Sequence, residues 1–129
     1  MSSPSATRDH YPHANEPIWS RREKAVARTV FDAALKRELH GIMQEVRWRS
    51  NQISKLDDLW DLERYLTEHR KDIDRKYDFR TSRLTWVFGR LLFEGRASEE
   101  ELCSLGEDKL KAIRSCAKVL SEDVAVPES

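Results

Sequence analysis

No proline interrupts the chain between Ile18 and Val126; the four prolines stand at Pro4, Pro12, Pro17 and Pro127. So long a run without the residue that breaks helices reads as helical throughout. The ends, residues 1–17 and 121–129, read as disordered tails. Glycine is equally scarce, four in 129 residues, which leaves little material for tight hairpin turns. No segment sustains an alternation of apolar and polar residues, and no internal repeat is visible. The expected fold class is all-α.

Other absences narrow the function. Nowhere do eighteen apolar residues run together, and the first residues lack the apolar core of a signal peptide, so a soluble, cytoplasmic protein without integral membrane contact is expected. Two cysteines, Cys103 and Cys116, are too few for a disulfide framework and point to free thiols in a reducing compartment. Lys and Arg together number 23 and so do Asp and Glu, and this neutral balance argues against a nucleic-acid partner. The charge is nonetheless uneven: Trp19 to Ser54 is basic and Glu99 to Ser129 acidic, a polarity that can steer protein association. Only 39% of residues are hydrophobic against 36% charged, which suits an elongated or oligomeric helical protein better than a compact globule.

Catalysis finds little footing. There is no GxSxG, no Gly-rich loop ahead of a helix, and no histidine near either cysteine. Asp57 and Asp58 fit a helix N-terminus better than an acid–base pair. Asp72 and Asp74 point to different sides of a helix, and His40 and His69 have no partner at ligand spacing, so no metal and no cofactor is expected. The basic, aromatic run RKYDFRTSR, Arg75 to Arg83, could imitate a nucleic-acid surface but reads better as a solvated turn balanced by Asp72, Asp74 and Asp78.

What is present is helix chemistry. Ser20 followed by Glu23 makes a capping box. From there Ala27, Phe31, Ala34, Leu35, Ile42, Met43, Val46 and Ile53 recur near helical spacing, a helix of roughly 50 Å if it reaches Ser54. A second helix opens at Asp57 and Asp58 and carries Leu59, Leu62, Leu66, His69, Ile73 and Tyr77. A third spans TSRLTWVFGRLLFEG, stopped by Gly95. Ser98 and Glu101 repeat the box ahead of a short helix, and Glu107 to Leu120 forms the last. Two long helices, residues 18–77, thus make a stem, and three shorter ones, residues 78–120, a head. A long apolar stripe needs another helix to cover it, so Phe31, Leu35, Ile42, Val46, Ile53, Leu59 and Leu62 are the expected seam of a homodimer.

The aromatics remain. Trp60 lies about a hundred degrees round the helix from Leu59, beside the stripe rather than in it. Trp60, Trp86 and Phe88 are candidates for partner binding, since such side chains dominate interface energetics. Trp19 and Trp48 read as buried in the stem.

Four stretches, EPIWS at 16–20, LKRELHG at 35–41, QISKLDDLW at 52–60 and IDRKYDFR at 73–80, with the VF and EG of WVFGRLLFEG at 86–95, resemble the cyanobacterial fluorescence recovery protein family in order and spacing, over roughly Glu16 to Lys118. The resemblance implies an all-helical homodimer with a C-terminal head and no enzymatic activity. It also implies a partner, the photoactivated orange carotenoid protein, bound chiefly through that protein's C-terminal domain and hastened back to its resting form, so that photoprotective quenching ends. Trp60 and Arg70 match the family's partner-binding and dimer-proximal patch, Trp86 stands at an aromatic position of its head, and Lys109 lies near a basic one. Arg64 departs from the pattern, because the family carries an aspartate four residues after the tryptophan, where i and i+4 share a face. Members also occur in bacteria without phycobilisomes, so a dimeric helical adaptor with another partner is the alternative, and a small DNA-binding regulator a lower one.

Overall fold

The computed structural model describes residues 18–125, with side chains through Asp123. Among the described residues four helices follow one another: α1 Arg21–Asn51, α2 Leu56–Lys76, α3 Thr81–Glu94 and α4 Glu107–Ala125. Among the described residues there is no strand, so the all-α expectation is met. The residues expected as an N-terminal tail lie outside the described ones.

The capping box forms as its sequence requires. The Glu23 amide donates to Ser20 Oγ at 3.0 Å, and the Ser20 amide donates to Glu23 Oε1 at 3.0 Å. Thirty-one residues at about 1.5 Å each give α1 a length near 46 Å. A four-residue turn leads into α2, where Asp58, in the third helical position, accepts the Ser54 and Lys55 amides at 3.0 Å each. The same dipole logic that marks Asp57 and Asp58 as a helix start is thereby satisfied. Gly95 ends α3 in the left-handed region at φ 77°, with the Arg96 amide reaching back to the Leu91 carbonyl at 2.9 Å.

The core corrects the expected division into stem and head. It is built from Trp19, Ala27, Val30, Phe31 and Ala34 of the N-terminal segment together with Leu84, Val87, Phe88 and Leu91 of α3, Ala97, Leu102 and Leu105 of the linking segment, and Leu110 and Ile113 of α4. The first half of α1 therefore belongs to the head. Phe31 is enclosed there, edge-on to Tyr77 at 5.3 Å and to Phe79 at 5.0 Å, and is not free to form a dimer seam. Trp19 is buried as expected, but in the head, 6.3 Å from the Phe88 ring. Trp48 is exposed, contrary to expectation, because the stem has no interior to receive it.

Between Leu39 and Arg75 no residue is buried. The outer half of α1 and nearly all of α2 form an antiparallel hairpin, with Arg49 over the Tyr65 ring at 4.2 Å near its tip and Glu38 against Lys76 at its base. Two further boundaries differ. The Ser98–Glu101 box closes, with the Glu101 amide on Ser98 Oγ at 3.1 Å, but the chain continues as turns held by i to i+3 bonds such as Leu105 N to Leu102 O at 3.0 Å. So short a segment sends Leu102 and Leu105 into the core without the four-residue ladder a helix needs, and the head holds two helices of its own, not three. The last helix also runs through Ala125, five residues into the segment expected as a tail.

Candidate partner-binding surface

On α2, Trp60 stands 58% exposed in the second turn, with Leu59 and Leu66 also open to solvent. Arg64, one turn on, donates to Asp61 at 2.9 Å, and both side chains are more than half exposed. The patch thus joins a large aromatic to a solvated ion pair. Nearer the tip, Trp48 lines a shallow depression with Arg49, Asp58, Asp61 and Leu62. Farther toward the head, Arg70 lies along an apolar groove between the two hairpin helices, walled by Leu39, Ile42, Leu66 and Ile73. Among the described residues no carboxylate lies within ion-pairing distance of Arg70. Of the expected seam, Leu35, Ile42, Val46 and Leu62 are half-buried, and Ile53 and Leu59 are exposed.

The head carries a second surface. Trp86 is 46% exposed and sits in a cleft with Arg75, Arg83, Arg90, Val87 and Leu120. Arg83 and Arg90 fall three residues before and four after Trp86, so helical spacing alone puts all three on one face. Arg75 arrives from the end of α2. Arginines from α2 and α3 therefore surround the tryptophan, and α4 closes the cleft with Leu120. The basic run is more than a solvated turn, because Tyr77 and Phe79 turn inward onto Phe31, Lys76 is buried, and its arginines face out. Inward-facing rings offer no stacking platform to nucleic acid.

Two candidates leave the surface. Phe88 is 0% exposed at the centre of the core, two residues from Trp86 and so on the opposite side of α3. Burying such a ring contributes on the order of 2–3 kcal/mol, a packing role. Lys109 is 5% exposed, its ammonium 2.9 Å from Glu23 Oε1 and 3.1 Å from Asp108 Oδ2. Burial alone would lower its pKa, but those two carboxylates outweigh it and raise it. Lys109 ties α4 to the start of α1 and is not presented to a partner.

One constellation escaped the sequence reading. Glu38 and Lys76 are buried, and with Glu94, Arg90, Arg96 and Tyr77 they form a charged cluster where hairpin meets head. The signal was present: Glu38 follows Phe31 by seven residues and Ala34 by four, so a carboxylate occupies a position the core stripe would give to an apolar residue.

A family model described as photoprotection regulator fluorescence recovery protein matches residues 19–117. The chain is 40% identical over 104 residues to the fluorescence recovery protein of Synechocystis sp., covering 81% of this chain and 95% of that one. It is similar in fold to the solved fluorescence recovery proteins of Fremyella diplosiphon and Synechocystis sp., each with a TM-score of 0.75 and 40% identity, over 78% of this chain and 99% of theirs.

Proposed function

The chain belongs to the fluorescence recovery protein family of photoprotection regulators, and from that premise we propose that it binds the photoactivated orange carotenoid protein through that protein's C-terminal domain and speeds its return to the resting form. It acts by binding and not by chemistry. A binder can shift a conformational equilibrium only by preferring one state. It can hasten the return only by favouring the transition state over the activated form. It works in the cytoplasm, as a homodimer joined along the hairpin; among the described residues no helix is long and apolar enough to cross a membrane.

The observation that carries this reading is Trp60: a tryptophan standing open on a hairpin without a core, in a chain that matches the family over nearly its whole folded length. A side chain of that size left in water on a helix has no packing role within its own chain. The test is the dark recovery of a photoactivated orange carotenoid protein, followed by absorbance with and without this protein. Faster return with it supports the reading, and an unchanged rate with no complex on size exclusion removes it.

Arg64 favours a second reading, a family adaptor with a different protein partner. Its guanidinium places positive charge beside Trp60 where the family carries an aspartate, and a charge of the wrong sign at an interface suppresses a partner.

A further inference from the structure

Lys76 closes α2 and is the buried residue of that helix. Its ammonium lies 2.8 Å from Glu38 Oε1 on α1 and 2.8 Å from Glu94 Oε1 on α3, so one side chain joins three helices. Both carboxylates have further partners: Glu38 accepts the Tyr77 hydroxyl at 2.9 Å and faces Arg96 at 3.3 Å, and Glu94 accepts Arg90 at 2.9 Å and Arg96 at 3.0 Å. Directly after Lys76 the chain leaves the helix, and residues 77–80 form a non-helical elbow before α3. The rest of the hairpin has no core. The outer half of α1 is carried by the unbroken helix that starts in the head core, so it is the seating of α2 against α1 and the head that depends on this elbow.

Apolar contacts tolerate sliding; a buried ammonium between two carboxylates does not, because any displacement strands a charge out of water. We propose that Lys76 is a positioning residue, a charged latch that fixes the pose of α2, which carries Trp60 and Arg70, against α1 and the head carrying Trp86. Two patches held at one angle form a preorganised surface, and a hinge between them would cost ordering on every encounter. The functional consequence rests on the reading that both patches meet one partner; the latch itself does not.

Distance measurement by pulsed electron resonance on the full chain tests the latch. Cys103, exposed in the head, takes one spin label, Glu68→Cys at an exposed position of α2 takes the other, and Cys116→Ser removes the remaining thiol. Dilution with unlabelled protein keeps distances within one chain. The parent should give one narrow distribution, and Lys76→Met a distribution widened or shifted by several ångströms while the head still melts cooperatively. Lys76→Arg, which keeps the charge, should stay narrow. Should Lys76→Met fail to fold, Tyr77→Phe removes one hydrogen bond to Glu38 and no charge, and should widen the distribution partly. An unchanged narrow distribution in whichever of these two variants folds overturns the latch. Affinity for the photoactivated carotenoid protein should fall about tenfold with the widening; a wide distribution with undiminished affinity overturns the positioning role. A parent that binds no carotenoid protein refutes the proposed partner, and the distances still decide the latch.

Discussion

Lys109 on α4 holds Glu23 in the first turn of α1, Nζ to Oε1 2.9 Å, and the same carboxylate accepts the Gly106 amide at 2.7 Å. The start of the first helix and the start of the last are thus fastened through one side chain. Lys109→Met takes the cation from Glu23, which keeps the Ser20 and Gly106 amides, so the cost is about 1–3 kcal/mol. Urea unfolding should show that loss, with the dark recovery rate per folded molecule unchanged. Intact stability with lost recovery would return Lys109 to the binding surface.

The hydrogen bond from the Ser20 amide, reinforced by Lys109 and the Gly106 amide against the opposing effect of burial, holds Glu23 well below its ordinary 4.5, at about 2. A carboxyl more acidic in the folded chain than in the unfolded one stabilises the fold above the unfolded value and ceases to do so as pH falls through the folded one. Glu101, gripped first by Arg37, and Glu94, where Lys76, Arg90 and Arg96 overcome burial, shift in the same direction. The urea midpoint should therefore fall between pH 4.5 and about 2. Glu23→Gln should be less stable at neutral pH and should show a shallower decline across that window. An equally steep decline would assign the acid sensitivity elsewhere.

Gly89 sets how closely α3 and α4 pack. A Cβ added there would lie 2.5 Å from the Cys116 Cβ and 3.2 Å from the Ala117 amide nitrogen, where neither helix can yield cheaply. Gly89→Ala should cost about 1–3 kcal/mol despite its better helix propensity, since overpacking outweighs a gain of under about 1 kcal/mol. Thermal melting gives the sign, and a stabilised variant would show that the helices are free to separate.

The elements were legible where the signal is local. Ser20, Glu23, Asp58 and Gly95 act within one turn, and the apolar spacing of α3 and α4 is regular, so type and order follow from the sequence. What could not be read was which helix face meets which. Phe31 sits on the same stripe as Val46, yet one lies in the head core and the other on the hairpin, because the inserted Glu38 marks where the core ends and only the return of α2 supplies its Lys76. Phe88 and Trp86 look alike as aromatics two residues apart, and only the side taken by α4 separates core from surface.

The hairpin carries the prediction for assembly. With no buried residue between Leu39 and Arg75, a single chain leaves Leu39, Met43, Leu59 and Leu66 in water. Contiguous apolar surface of that kind is covered by association. Light scattering at low micromolar concentration should give twice the chain mass, and Leu59→Glu should reduce it to one. Phe31→Ala should instead lose about 3–5 kcal/mol of head stability while the folded fraction still associates. A monomeric parent would discard the hairpin seam.

Charge and contact are separable at Trp60. Arg64 is tied to Asp61 by a pair exposed on both sides, and such pairs hold by about 1 kcal/mol or less, so a partner can readily draw the guanidinium away. If charge decides recognition, Arg64→Asp, which restores the family's sign and places a second carboxylate beside Asp61, should speed dark recovery of the carotenoid protein by about tenfold, because facing charges couple by about 1.5 kcal/mol or more. If the aromatic anchor decides, the parent is already active, Arg64→Asp changes little, and Trp60→Ala removes the activity while light scattering still shows a dimer. Arg64→Asp accelerating an otherwise inactive parent would point to a different native partner for this chain. Activity in the parent that survives both substitutions would shift the binding surface from the hairpin to the Trp86 cleft, where Trp86→Ala should then abolish it.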